Sequence, residues 1–281
     1  MAVLGTGDAG FAMAQRLRER GFGVRAWNRT PERAAPLADE GVQVLPTPAE
    51  AVRSADLVLV VVFDVRAVLD VLERITPALE PGAVVLQSAT VGAEITEVVT
   101  AATRLGVAVV DAPFLGNPGP ARRGELTYLV AGEPGHKDVA RPMLDALASN
   151  VVDVADRPGG ASLLKLTCNT WLFGLNAVAA QASVLAESFG LDPALFLRAV
   201  SGSNADSTYL HYRAEQLTGR SEEVLSPVRA ALKDLGHIRS AASRAAVPDQ
   251  LLAVLHGIYA GASEAGLADR DLAAVREVLA P

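Results

Sequence analysis

The 281-residue chain has one cysteine, Cys168, so no intrachain disulfide can form. That scarcity fits a reducing compartment, and a cytoplasmic protein is expected. Basic residues are also few: 25 Lys and Arg against 32 Asp and Glu leave a net charge of −7. With no long basic run, nucleic acid is excluded as an expected partner. The four histidines, His136, His211, His237 and His256, are scattered without metal-ligand spacing, so no metal is expected. There is no internal repeat and no low-complexity tract. No basic segment precedes the glycine-rich loop at Gly5, so no signal peptide is expected.

Charge is absent from Leu166 to Ala186, a stretch long enough to span a bilayer. It carries Asn169, Asn176, Gln181 and several hydroxyls, which a lipid-facing helix avoids. The expectation is a buried helix between packed units and no membrane association. Half of the chain is apolar, enough for a sizeable core in one large or two ordinary domains.

What is present is alternation. Short β-branched runs at 1–4, 22–27, 42–45, 57–63, 83–87, 107–112, 125–132 and 150–155 read as strands. Helical patterns at 10–21, 31–39, 48–54, 65–74, 93–105 and 137–148 lie between them. Past "RPGG" (157–160) strand-like runs stop, and helices are expected near 160–189, 193–201, 206–218, 226–246, 248–265 and 271–279. The fold class is α/β: a Rossmann-like, mostly parallel sheet domain over 1–159, then an all-α domain over 160–281 entered through a long helix.

"VLGTGDAG" places Gly5, Gly7 and Gly10 as G-x-G-x-x-G between a strand and a helix. Such glycines let the backbone turn tightly and approach a pyrophosphate, which the helix N-terminus then attracts. Asp8 belongs there only if it points to solvent. The second strand ends in "WNRT", with no carboxylate before Glu32 to hold a ribose 2′-OH. Asn28, Arg29 and Thr30 stand there instead, and Arg29 suits a 2′-phosphate, so NADP is favoured over NAD.

Lys165, in "GGASLLKLTCN", is the one charge between Arg157 and Glu187. An ammonium in an apolar run is costly unless it snorkels or has a task. Asn169 follows four residues later on the same helix face. A lysine at the start of this helix suits proton transfer to a carbonyl oxygen as hydride arrives.

Taken together, "GTGDAGFAMAQRL", "WNRTPERA", "SAT", "DAP", "GGASLLKLTCN", "LKDL" and "GLADRDLAAV" resemble the β-hydroxyacid dehydrogenase family, in its order and spacing. The run "GNPGPARRGEL" is most similar in layout to its glyoxylate/succinic semialdehyde reductase branch. The resemblance implies that Lys165 is the acid/base and Asn169 orients substrate. It puts Val62 and Phe63, ending the fourth strand, beside the cofactor, and Thr90 near the nicotinamide. Lys233 reaches the cofactor, and Asp234 closes the substrate side. After "DAP" the family usually reads V-S-G-G, its serine and glycine amides holding a carboxylate; here Phe114, Leu115, Gly116 and Asn117 stand in that place, with Ala89 for the serine of "SAT". Arg122 and Arg123 replace acidic residues of that branch and read as a solvated turn. Cys168 reads as a buried thiol, and Trp171 and Phe173 as core or pocket lining.

The expectation is thus an NADP-dependent enzyme that moves hydride to or from a small β-hydroxyacid or semialdehyde, and works as a homodimer because the long helix has more apolar surface than its domain needs. Two rivals stand. An imine reductase shares the scaffold, and the lost serine favours it, but Asp or Tyr usually replaces the lysine there. A catalytically silent nucleotide-binding module would lose Lys165, which this chain keeps.

Overall fold

The computed structural model describes residues 1–280 and divides the chain into two compact units, Met1–Lys165 and Leu166 onward. The first is built on one nine-stranded sheet: β1 (Ala2–Leu4), β2 (Arg25–Trp27), β3 (Gln43–Val44), β4 (Leu57–Val60), β5 (Val84–Gln87), β6 (Ala108–Asp111), β7 (Phe114–Leu115), β8 (Leu126–Ala131) and β9 (Ala148–Ala155). The order is β3-β2-β1-β4-β5-β6-β8-β7, with β9 on β8. Strands β3 to β6 run parallel; β8 is antiparallel to β6 and β7, and parallel to β9.

Helices α1 (Asp8–Glu19), α2 (Pro48–Val52), α3 (Val65–Ile75), α4 (Ile95–Leu105), α5 (Pro118–Arg123) and α6 (Pro134–Leu147) belong to this unit. A parallel sheet with helices on both faces must be apolar on both. Alternate side chains meet that demand. Val3, Leu59, Leu86 and Val110 pack with Met13 and Leu17 of α1 and Met143 of α6. Leu4, Val58, Val60, Val85 and Val109 pack on the other face with α3 and α4 through Val68, Leu72, Ile95 and Val98.

Several expected boundaries shift. Helix α1 starts at Asp8, because extended Gly7 is its N-cap and the Gly7 carbonyl accepts from Phe11 N. Strand β4 stops at Val60, since its neighbour β1 ends at Leu4; Val62 and Phe63 therefore lie in the loop after it and do not end the strand. The stretch 31–39 forms two 3₁₀ turns, Pro31–Arg33 and Ala35–Glu40, rather than one helix. Helix α5 and strand β7, in a stretch dense in Gly and Pro, lie where no element was expected.

The second unit is helical. Helix α7 (Gly160–Ser188) runs into it from the first, followed by α8 (Pro193–Val200), α9 (Thr208–Tyr212), α10 (Ala214–Leu217), α11 (Val228–Arg244), α12 (Gln250–Ala262) and α13 (Arg276–Leu279). The helix expected at 206–218 breaks at Arg213, and 271–279 divides into a 3₁₀ turn, Leu272–Val275, and α13. No helix of the described residues is long and apolar enough to cross a membrane.

Arg213 is 2% exposed and explains its break. Its guanidinium meets Asp271 at 3.0 and 3.1 Å, over the ring of Tyr209. Asp271 also accepts from Leu225 N, Ser226 N and Ala273 N. Beside the pair, Asn176 of α7 accepts from Tyr209 Oη and donates to Tyr259 Oη and the Leu272 carbonyl. Burial pushes the Tyr209 hydroxyl up to about 12. Removing one partner of a buried pair strands the other charge. Asp271→Ala is expected to destabilise this unit by about 3–5 kcal/mol in denaturant unfolding. Asp269→Ala, two residues away at an exposed Arg229 pair, is expected to cost less than about 1 kcal/mol.

Candidate active site

Loops leave the carboxyl ends of the parallel strands, among them those after β1 (Gly5–Gly7), β2 (Asn28–Thr30), β4 (Val61–Phe63), β5 (Ser88–Thr90) and β6 (Ala112, Pro113). The strand order reverses between β1 and β4, where open α/β sheets bind ligands. At that point the chain passes itself at near-contact. A Cβ on Gly5, whose φ is +100°, would lie 2.1 Å from the Val61 carbonyl oxygen, and one on Gly10 would lie 2.0 Å from the Gly5 oxygen. Around a Cβ on Gly7 nothing would lie within 4 Å. Space thus lies over the N-terminus of α1, whose cap Gly7 has no side chain to bond its first N–H groups. The residues present fit a dinucleotide pyrophosphate. Asp8 is exposed in the first helical turn, where a carboxylate suits the helix dipole.

Asn28 is half-buried in the loop after β2. Its Oδ1 accepts from Thr6 N at 2.9 Å and its Nδ2 donates to the Thr30 carbonyl at 2.9 Å. The amide therefore ties the glycine loop to the loop after β2, leaving Arg29 and Thr30 exposed beside it. After β5, the Gln87 amide bonds both the N–H and the carbonyl of Ala89, fixing the approach to half-buried Thr90. Phe63 is half-exposed, and Asp64 caps α3 through Ala67 N.

Beyond β6, Phe114 packs toward the core with its ring 5.9 Å from that of Tyr128. Alternation turns the next side chain, partly buried Leu115, to the opposite face. Gly116 has φ +125°, a conformation only glycine adopts readily. Asn117 caps α5, its Oδ1 accepting from Gly119 N at 3.2 Å. Arg122 pairs with Glu19, and Arg123 with Glu125 at 2.6 Å, so both arginines are partnered at the surface.

Lys165 is half-buried in the second turn of α7 and falls in the first unit. The first turn of that helix is anchored on β6: Asp111, 0% exposed, accepts from Gly159 N at 3.0 Å, Ser162 N at 2.9 Å and Ser162 Oγ at 2.6 Å. Burial pushes the Asp111 carboxyl up, while the Ser162 and Gly159 donors pull it down.

The second unit holds Asn169, Lys233 and Asp234. Asn169 is buried on α7, and its Nδ2 donates to Asp234 Oδ2 at 2.7 Å. Lys233 Nζ lies 3.0 Å from Asp234 Oδ1. The Asn169 Oδ1 is buried and has no hydrogen-bond partner. Asp234 thus joins α11 to α7 and orients both a lysine and an amide. Cys168 is partly buried, Trp171 is 71% exposed, and Phe173 is in the core against Tyr259.

The family model described as the NAD binding domain of 6-phosphogluconate dehydrogenase matches residues 1–155. The model for the NAD-binding of NADP-dependent 3-hydroxyisobutyrate dehydrogenase matches residues 159–279. The chain belongs to the β-hydroxyacid dehydrogenase family. It is 31% identical to the L-threonate dehydrogenase of Cupriavidus necator over 99% of this chain and 95% of that protein. Glyoxylate/succinic semialdehyde reductase 2 of Arabidopsis thaliana is 26% identical over 99% of this chain and 79% of that one. A solved 3-hydroxyisobutyrate dehydrogenase from Salmonella typhimurium superposes with a TM-score of 0.90, at 26% identity, over 99% of this chain and 98% of that one.

As a β-hydroxyacid dehydrogenase family member the chain is an NAD(P)-dependent dehydrogenase/reductase acting on CH–OH groups. Its sheet unit brings Gly5, Gly7, Gly10, Asn28, Arg29, Thr30, Val62, Phe63 and Thr90 to one edge. Asp111, which holds the first turn of α7, is a residue that the sequence does not single out. It is visible there only as the first letter of "DAP", because its partners lie 48 and 51 residues away.

The glycines yield a paired prediction. Gly7 has φ −66°, which alanine adopts freely, so Gly7→Ala should keep the wild-type melting temperature and lose NADPH binding by at least about tenfold. Gly10→Ala drives a methyl into the Gly5 backbone and should lower the melting temperature as well. Thermal melts beside nicotinamide-fluorescence titrations separate the two effects.

Proposed function

We propose that this chain is an NADP-dependent oxidoreductase for a small β-hydroxyacid or semialdehyde, with Lys165 as its acid/base. The observation that carries the reading is the placing of Lys165 on a helix whose first turn is bonded to the end of β6, on the sheet edge that bears the glycine cradle. The cofactor supplies or accepts the hydride. Gly5, Gly7 and Gly10 would hold its pyrophosphate against the α1 N-terminus, Val62, Phe63 and Thr90 would border it, and the family resemblance makes Lys233 a further cofactor residue.

The Lys165 ammonium would hold a proton at the substrate carbonyl oxygen and release it there as charge develops; in the oxidative direction the amine would take it back. Asn169, one turn along the same helix, has its Nδ2 committed to Asp234 and offers Oδ1 to orient the substrate. Leu115 has no hydroxyl for a carboxylate, while Asn117, whose Oδ1 caps α5, brings a neutral amide to that end. The Gly116 N–H would be a donor to such a group. The reading therefore favours substrates bulkier or less anionic at that end than 3-hydroxyisobutyrate. A single cysteine supports a cytoplasmic enzyme.

The cofactor preference rests on exposed Arg29 and the lack of a carboxylate beside it. Arg29→Ala should weaken NADPH by about tenfold or more and leave NADH nearly unchanged, since one charge-assisted contact contributes roughly 1.5–3 kcal/mol. Equal wild-type affinity for both cofactors would contradict the preference.

The acid/base role is tested by steady-state turnover. With the best substrate from a panel of glyoxylate, succinic semialdehyde, 3-hydroxyisobutyrate and a cyclic imine, Lys165→Ala should lower kcat by roughly 10²–10⁴ and spare NADPH binding. A guanidinium stays protonated, so Lys165→Arg should not restore the rate. An alanine variant that turns over normally, or a wild type active only on the imine, would overturn the reading.

A further inference from the structure

Most capped helices of this chain are capped by their own preceding residue: Thr47, Asp64, Asn117, Asp192 and Ser207 each accept from the helix they introduce. Helix α7 is held differently. Its clamp comes from another strand, through the wholly buried carboxylate of Asp111. Burying a charge there is costly, and a local Ser or Asp would satisfy the same N–H groups at the surface. What the distant clamp adds is direction. Ser162 contributes two of the three bonds, one from N–H and one from its hydroxyl. Lys165 follows three residues later, on the neighbouring part of the same helical face. Bonds to Ser162 fix the rotation of α7 about its axis against β6, and with it where Lys165 points.

We propose that Asp111 is a positioning residue for Lys165: through Gly159 and Ser162 it sets the direction of the ammonium. This rests on the reading of Lys165 as the acid/base. Geometry of this kind matters because a misplacement of about 1 Å can cost about 10²-fold in rate.

Three variants of the full chain test it: Asp111→Asn, Ser162→Ala and Lys165→Ala, with Ser162→Thr as the conservative control. NADPH affinity by fluorescence should stay within about twofold of wild type in all, because the glycine cradle is untouched. The kcat should fall at least about tenfold in Asp111→Asn and about three- to tenfold in Ser162→Ala, with Ser162→Thr restoring most of it. The chain has only three lysines, Lys137, Lys165 and Lys233, so reductive ¹³C-methylation gives a short NMR spectrum, with the Lys165 signal assigned by its loss in Lys165→Ala. In Asp111→Asn the Lys165 signal should move in chemical shift while Lys137 and Lys233 stay put, a change that general loosening would not confine to one lysine. Loss of turnover in Lys165→Ala, with kcat within twofold of wild type in the other two, overturns the positioning role alone. So does a Lys165 signal that keeps its wild-type chemical shift. Normal turnover in Lys165→Ala overturns the acid/base reading and the proposal with it. Should Asp111→Asn fail to fold, Ser162→Ala decides through kcat, since it keeps the carboxylate and both backbone donors.

Discussion

The first unit depends on one close passage of backbone. Gly5 slips past the Val61 carbonyl and Gly10 past the Gly5 carbonyl, at separations where any side chain would collide. This contact lets β1 pair with β4 while α1 starts at once from the end of β1. It also leaves the first N–H groups of α1 open at the point where the strand order reverses. A helix N-terminus left without a side-chain cap is an anion site, and here it lies where an α/β sheet is built to take a nucleotide. Asn28 extends the constraint sideways, so that the loop bearing Arg29 cannot drift from the glycine loop.

Much of this was legible because periodicity and glycine spacing are local signals. Strands buried on both faces read as unbroken apolar runs, and the switch to helices after Gly160 is a change of period. The misreadings have physical causes. "LVLVVVF" gives no sign that its last three residues lose their strand partner, because β1 ends elsewhere in the chain. "NPGPARRG" reads as a turn, yet Asn117 caps it and Pro118 starts it, which makes a short helix. The break at Arg213 comes from a buried ion pair with a residue 58 positions away. At the site, residue types were visible and their obligations were not. Asn28 and Asn117 each commit amide atoms to loops, and Asp111 acts across the sheet.

Family membership fixes the scaffold and the class of chemistry, while the substrate is decided by a few side chains. Lys165 and Asn169 are one turn apart on α7, and each neighbourhood is held by a buried carboxylate: Asp111 at the first turn, Asp234 at Asn169. Both acids sit where desolvation is costly and are kept by donors, which is how a fold holds polar groups in one arrangement. Leu115 stands out against that background, an apolar side chain on the face opposite Phe114.

The central claim is that the glycine passage and the loop after β2 together hold NADP. A crystal structure of the full chain with NADP⁺ tests it most directly. The account predicts the pyrophosphate within hydrogen-bond distance of the first N–H groups of α1, beside Gly7, and the 2′-phosphate on the guanidinium of Arg29. A pyrophosphate bound away from α1, or a 2′-phosphate in solvent with Arg29 turned aside, would contradict it.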